Sequence, residues 1–142
     1  MDAPGWIINN KVGSGFVEYK GNKTPYSILR KELEPRLPGF LGYPDGLYLF
    51  ISEEVPEKFR YPQLIHEIIE FTELKEEKGR CLAALKEELK LISSEDTEEY
   101  LSYRKKFFEN LVKYYENSDN EEFKSEIQAS LEFLRNLDKG IS

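Results

Sequence analysis

A single histidine stands in a helical pattern together with two carboxylates. Residues 63–71 contain His66, the only histidine of the chain, followed at once by Glu67 and one helical turn later by Glu70. Residues four apart project from the same face of a helix, so His66 and Glu70 can bind one ion with Glu67 beside it. A metal held in this way activates water, and a nearby carboxylate takes the proton as the water attacks. The spacing predicts a divalent-metal site.

This pattern resembles the active-site helix of the zincin metallopeptidases, which carries His-Glu-x-x-His after an apolar edge strand. In this sequence, residues 47–51 correspond to that strand and residues 62–78 to that helix. The resemblance implies that His66 is a zinc ligand and that Glu67 is the general base of a metal-dependent amide or peptide hydrolase. The second histidine of the family is Glu70 here, and a carboxylate can also bind zinc.

A third protein ligand has to be Asp, Glu or Cys, because the chain has no further histidine. In the helix predicted after Gly79, Glu88 lies on the same apolar line as Cys81 and Leu85. A buried carboxylate is costly unless it is paired, hydrogen-bonded or metal-bound. If Gly79 reverses the chain, Glu88 returns to the level of Glu70 and becomes the third ligand or a support for the ligands. Cys81, nearer the turn, is the competing soft ligand.

Each of these residues also has a structural interpretation. Glu88 can form a salt bridge with a cation such as Arg80, Lys86 or Arg104. His66 and Glu70 lie opposite the apolar arc of their helix, as residues of an ordinary solvated acidic face do. Glu73 and Glu77 belong to that same face.

The elements that carry these residues change in type along the chain. Two runs, residues 6–8 and 15–19, have the aromatic and β-branched content of strands and are expected to pair antiparallel. Thr24 and Pro25 predict the start of a short helix that ends at Pro35. A loop over residues 35–45 and a strand over residues 46–52 are expected to follow.

Spacings of three and four dominate after Pro62. They predict a helix over residues 62–78, a second over 81–92, a third over 100–114 and a fourth over 123–134, the last beginning at a capping box of Ser118 and Glu121. The expected fold is α+β, with small N-terminal antiparallel strands followed by a C-terminal bundle of antiparallel helices. We expect one domain over residues 1–142, strand- and turn-rich up to residue 61 and helical over 62–142.

Composition limits the function classes. The 142 residues include 27 Asp and Glu against 20 Lys and Arg, a net charge of -7. This excludes non-specific nucleic-acid binding as the default function, and the basic cluster Arg104-Lys105-Lys106 is expected to be a solvated helix face. No apolar run approaches the length a bilayer requires, so no membrane partner is expected. A single cysteine and the lack of an apolar leader predict a cytoplasmic location.

A second hypothesis makes the chain a non-enzymatic helical interaction module. Aromatic side chains recur along the third predicted helix, at Tyr100, Tyr103, Phe107, Phe108, Tyr114 and Tyr115. Part of this stripe can form a surface for a protein or peptide partner, or for a second copy in a homo-oligomer. In this hypothesis His66 is a surface residue. The sequence leaves open which of the two functions applies.

Overall fold

The computed structural model describes residues 5–31, 39–43, 46–73 and 79–140. Of residues 39–43, 46–48, 71 and 138–140 only the backbone is described. The described elements, in chain order, are α1 (Gly5–Asn10), β1 (Lys11–Tyr19), β2 (Asn22–Leu29), β3 (Gly39–Tyr43), β4 (Gly46–Ser52), α2 (Glu57–Ile68) continued by a π-helical turn (Ile69–Glu73), α3 (Arg80–Leu89), α4 (Thr97–Tyr114) and α5 (Glu121–Gly140).

Strands and helices occupy different parts of the chain, which divides into two compact units, Met1–Glu73 and Leu74–Ser142. The first unit contains the four described strands, and the second contains α3, α4 and α5. The predicted α+β class is confirmed. The first unit ends with helical residues, because α2 contacts β1, β3 and β4 and belongs to the same unit as the strands.

The four described strands form one sheet in the order β1-β2-β4-β3. β1 and β2 form an antiparallel hairpin, and so do β3 and β4. The predicted pairing of residues 6–8 with residues 15–19 is wrong, because β2 is the strand that pairs with residues 15–19. The central pair differs, since β2 and β4 run parallel. Parallel neighbours require a crossover connection, and β3 lies within it at the far edge of the sheet.

Two local predictions in the N-terminal part are wrong. Residues 6–8 belong to the short helix α1, in which Asn10 Nδ2 donates to the carbonyl of Trp6 over 2.7 Å. Thr24 and Pro25 lie in β2 rather than at a helix start. β2 pairs with β4 only from Tyr26 onward, so Pro25 has no β4 residue beside it. A proline, which lacks the backbone N–H, is tolerated at a strand position where a neighbouring strand is absent.

The predicted loop over residues 35–45 contains β3, and its residues 35–38 and 44–45 lie outside the described part of the chain. The predicted strand over 46–52 is confirmed as β4. The helix predicted from Pro62 begins earlier, at Glu57 after Pro56, so Pro62 lies inside α2. A proline inside a helix lacks the N–H that would bond the preceding turn, yet the Pro62 ring is buried and adds apolar contact there.

The contacts of α5 define the helix directions in the second unit. Tyr115 and Phe123 stack edge to face with ring centres 4.9 Å apart, and Arg135 bonds Glu109 over 3.4 Å. The contact near the end of α4 is with the start of α5, and the contact earlier in α4 is with a later part of α5, so the two helices are antiparallel. Gly79, with φ of 72°, adopts the left-handed conformation immediately before α3, where the sequence predicted a break.

The start of α5 uses a different cap from the predicted one. The Asn120 side-chain oxygen accepts from the backbone N–H of Phe123 over 3.0 Å, which is the bond an N-cap makes. Ser118 instead accepts from the backbone N–H of Asn120 over 3.2 Å. The predicted capping box of Ser118 and Glu121 is therefore wrong by two positions, because the serine closes the turn before the helix.

Candidate functional site

His66 and Glu70, the two predicted ligands in the first unit, meet at the end of α2. The His66 Nε2 atom lies 3.0 Å from Oε2 of Glu70. His66 is buried, with 3% of its surface exposed, and Glu70 lies in the π-helical turn with 13% of its side chain exposed. The four-residue spacing therefore brings these two groups together as predicted.

The predicted solvated face is wrong for His66, because burial of α2 extends beyond its apolar arc. Gln63 and His66 are buried alongside Leu64 and Ile65. Gln63 keeps its amide satisfied by donating to the carbonyl of Phe59 over 3.3 Å. A helix buried on several sides needs partners for its polar side chains, and Glu70 is such a partner for the imidazole.

The other acidic residues of this helix differ in environment. Glu67 is half-buried beside His66, and its role as general base stays a prediction. Glu73 is exposed and pairs with Lys20 Nζ at 2.6 Å, while the Tyr19 hydroxyl donates to it over 3.3 Å. The solvated-face interpretation holds for Glu73. Glu77 lies outside the described residues.

The His66–Glu70 contact has a chemical consequence for metal binding. A carboxylate that is ionised only accepts hydrogen bonds, and its contact with His66 then requires the tautomer that carries the hydrogen on Nε2. A metal binds the unprotonated nitrogen. Binding through Nε2 therefore requires that the His66–Glu70 bond be exchanged for two bonds to the ion.

Glu88, the predicted third ligand, is fully buried in the second unit and forms an ion pair there. Arg104 donates from Nε to Oε2 of Glu88 over 2.7 Å and from Nη2 to Oε1 over 2.9 Å. The Tyr100 hydroxyl also donates to Oε2. This is the salt bridge that the sequence offered as the alternative to a metal, and Arg104 is the cation that forms it.

Burial and charge shift the pKa values of this cluster. Burial, followed by the charge of Glu88, raises the pKa of Tyr100 far above its usual range. For Arg104, burial by itself lowers the pKa, and the Glu88 carboxylate reverses that effect, so the pKa ends above its usual value. Tyr100 is thus a permanent donor and Arg104 a permanent cation near neutral pH. The cluster is built to neutralise one buried carboxylate.

The aromatic surroundings of Arg104 complete this burial. Its guanidinium carbon lies 4.7 Å from the ring centre of Phe107 and 4.9 Å from that of Phe108, within the range of cation–π attraction. The prediction that Arg104-Lys105-Lys106 is a solvated face is therefore wrong for Arg104. It holds for Lys106, which is exposed. The sequence indication of a buried Arg104 was the apolar position of Glu88, because a buried carboxylate requires a cation or another partner.

Cys81, the competing soft ligand, is buried at the start of α3. Its Sγ atom accepts from the Ser130 hydroxyl over 3.3 Å, and its backbone N–H donates to Glu126 over 3.3 Å. These contacts join α3 to α5. They give Cys81 the role of a packed side chain in the helical unit.

The aromatic stripe predicted as a binding surface is divided between core and solvent. Tyr100 and Phe108 are buried, and Tyr114 is exposed. The ring of Tyr115 stacks on those of Tyr114 and Phe123, both with centres 4.9 Å away. Most of the stripe therefore packs within the helical unit.

Four of the exposed large apolar side chains lie close together in sequence, within α1 and β1. Phe16 is 65% exposed and Val12 57% exposed. Trp6 and Ile8 in α1 are also exposed. We call these four side chains the α1–β1 surface. The sequence patterns did not reveal it, because residues 6–8 and 15–19 were expected to be paired strands and Val12 belonged to neither.

The sheet register places Phe16 and Trp6 on the same side of the sheet. Phe16 pairs with Pro25, and Ser27 pairs with Phe50, so Phe16 and Phe50 share a face. The Trp6 ring meets the Phe50 ring edge to face with centres 5.2 Å apart. α1 thus covers one end of this face, and the end at Phe16 is exposed.

Comparisons with protein-family models, with curated proteins and with solved structures found no match to this chain. Among the helices that the structure describes, none combines the length and the apolar character that crossing a membrane requires.

Proposed function

We propose that this chain is a non-enzymatic protein-binding module and that the α1–β1 surface is its binding surface. The observation that carries the proposal is the exposure of four large apolar side chains within residues 6–16. Single exposed apolar residues are ordinary, whereas several in one stretch are typical of interaction sites. The alternative location on the last two helices has less support, because most of the aromatic stripe packs internally.

A photoreactive benzoylphenylalanine in place of Phe16 tests this proposal in the native cells. We expect discrete protein adducts from this position on irradiation, because a partner bound there lies within reach of the probe. The matched control carries the same group in place of Tyr114, which is also an exposed aromatic residue. Adducts from Tyr114 alone would move the binding surface to the helices. Adducts from neither position would contradict the module.

A metal-dependent hydrolase is the second candidate, and one observation favours it. The His66 nitrogen and the Glu70 oxygen already converge at 3.0 Å, and both are donors that zinc accepts. In this candidate, His66 and Glu70 would hold the ion, and Glu67 would take a proton from the attacking water. A bound divalent ion supplies Lewis-acid polarisation of the scissile amide. The similarity to zincins is part of this candidate.

Metal content measured by plasma mass spectrometry, on untagged protein prepared without chelator, tests the second candidate. Near-stoichiometric zinc, manganese or iron that is lost in His66→Ala and in Glu70→Ala supports the site. Metal-free wild-type protein after added zinc is dialysed away contradicts the candidate.

A further inference from the structure

We infer that the partner of the α1–β1 surface is an acidic, extended polypeptide segment that adds to the sheet at β1. This inference rests on the proposed binding function and specifies its partner. It is carried by three observations: the charge of the N-terminal segment, the chemistry of the exposed side chains, and the position of β1 at the edge of the sheet.

The described segment 5–31 is basic in an acidic protein. It contains five Lys and Arg residues against the single Glu18, a net of +4, whereas the whole chain has a net charge of -7. One of these cations, Lys20, is neutralised by Glu73 at 2.6 Å. Lys11 and Lys23 are exposed and form no ion pair with any residue that the structure describes. Both side chains place positive charge at the surface, and Lys23 lies opposite Glu18 in the β1–β2 register.

One of these two cations lies beside the most exposed apolar side chain of the surface. The Lys23 Nζ atom is 4.9 Å from the centre of the Phe16 ring. A partner that contacts this place meets a positive charge and an aromatic face together, so alternating acidic and apolar side chains match it best.

The edge of β1 offers backbone groups as well. The β1–β2 turn has two central residues, so the backbone groups of its closing pair Tyr19–Asn22 bond each other across the two strands. Because this bonding alternates along an antiparallel strand, Glu18, Phe16 and Ser14 point their N–H and C=O groups away from β2. The Tyr61 hydroxyl donates to the Glu18 carbonyl over 3.3 Å, which agrees with this outward direction and occupies that acceptor, so an added segment pairs at Ser14 and Phe16. In the described part of the chain, no strand pairs with the outer side of β1. An extended segment can add there.

A polypeptide fits these observations better than a nucleic acid does. The exposed rings of Trp6 and Phe16 could stack on bases, but the net charge of -7 opposes a polyanion at long range. Strand addition also requires a peptide backbone on the partner. The nucleic acid is therefore a competing outcome of the experiment.

The test is a titration of the isotope-labelled full chain, followed by amide NMR shifts, with a synthetic octapeptide of alternating Glu and Val. The expected result is a saturable shift of amides between Ser14 and Glu18. A peptide with Lys in place of each Glu, and an acidic peptide whose alternate backbone nitrogens are methylated, should not produce it. The combined variant Lys11→Glu and Lys23→Glu should bind about tenfold more weakly. The matched charge reversal Lys106→Glu on α4 should bind like wild type.

Four results would overturn the inference: no shift with the acidic peptide, equal shifts with the lysine peptide, the same shifts with an oligothymidylate, or a β1-mediated dimer of the chain in the absence of peptide. The crosslinking experiment separates the two proposals. Adducts from position 16 that persist when Lys11 and Lys23 are reversed leave the binding module standing and reject the acidic segment. Absence of adducts rejects the module itself.

Discussion

Glu88 shows at the residue scale how one buried charge determines its neighbours. Its carboxylate is fully buried and receives bonds from Arg104 and Tyr100. Because the periodicity placed Glu88 among apolar residues, the need for a partner was predictable from the sequence. The choice of Arg104 among several cations was not, since Arg104 lies on another helix, and α3 and α4 are brought together by their packing on α5.

Arg104→Met should lower the free energy of unfolding by about 3–5 kcal/mol, because it leaves the Glu88 charge buried without its cation. Urea unfolding measures this change, and Lys106→Met on the same helix is the control, expected within about 0.5 kcal/mol of wild type. The joint variant Glu88→Met and Arg104→Met should recover most of the loss. If the joint variant is as unstable as the single one, the lost charge pairing is not the cause.

Tyr100 should make the protein lose stability at alkaline pH. Its pKa is raised by burial and then by the Glu88 charge. The folded state thus keeps the proton above about pH 10, where the unfolded state releases it. Stability from this group is complete below that pH and falls by about 1.4 kcal/mol per pH unit above it.

Urea unfolding of wild type and Tyr100→Phe, compared between about pH 9 and pH 11, checks this sign, since the variant lacks the titrating hydroxyl. The wild-type curve should fall more steeply with pH than the variant curve. Tyr114→Phe, which removes an exposed hydroxyl, should follow wild type. Parallel curves for wild type and Tyr100→Phe would show that Tyr100 does not carry the alkaline loss.

At the scale of elements, β1 is an edge strand in which an aromatic ring covers a glycine. A Cβ atom placed on Gly15 would lie 2.8 Å from the hydroxyl oxygen of Tyr26 and 2.9 Å from its Cζ atom. The two residues pair across β1 and β2, so the Tyr26 ring occupies the space that a side chain at position 15 would need. Such cover is a known way to stabilise an edge glycine.

Gly15→Ala should therefore cost about 1–3 kcal/mol, because the ring has to move away from its packed position. Thermal or urea unfolding measures the loss. Gly5→Ala is the control, since nothing lies within 4 Å of a Cβ there and alanine favours the helix α1. In a Tyr26→Ala background the cost of Gly15→Ala should disappear. A cost that persists there would exclude overlap with the ring as the reason.

Element type was predictable from the sequence where the pattern was long. The helices α3, α4 and α5 and the strand β4 follow their predicted positions closely. Short patterns were misleading, since residues 6–8 form a helix and Thr24-Pro25 lies in a strand. Three apolar residues do not distinguish the two periods, and strand pairing outweighs the local preference of a proline.

At the scale of the whole molecule, the distribution of charge matters more than its sum. The net charge of -7 coexists with a segment 5–31 of five basic residues and one acidic residue. A sum over the chain therefore conceals a basic region of the sequence. The proposed partner depends on this local excess, and the exclusion of nucleic acid depends on the total.

Fluorescence anisotropy with labelled duplex DNA or single-stranded RNA should detect no binding tighter than about 10⁻⁴ M at physiological salt. The acidic total opposes polyanions, and few phosphates can be neutralised by the small basic segment. The combined variant Lys11→Glu and Lys23→Glu is the control and should behave like wild type in this assay. Micromolar binding by wild type that falls steeply with salt would contradict the prediction.

The sequence by itself determined the α+β class, the positions of the long helices, the proximity of His66 to Glu70 and the demand of Glu88 for a partner. These features depend on periodicity and on the cost of burying charge, and both act over a few residues.

Only the tertiary structure decided which side chains are exposed and which cation forms the ion pair with Glu88. Phe16 and Val12 have the composition of core residues, yet they are exposed because β1 lies at the edge of its sheet. His66 has the position of a surface residue, yet it is buried because α2 packs along three strands. Exposure is a property of what packs against a residue, and segments distant in the chain supply that packing.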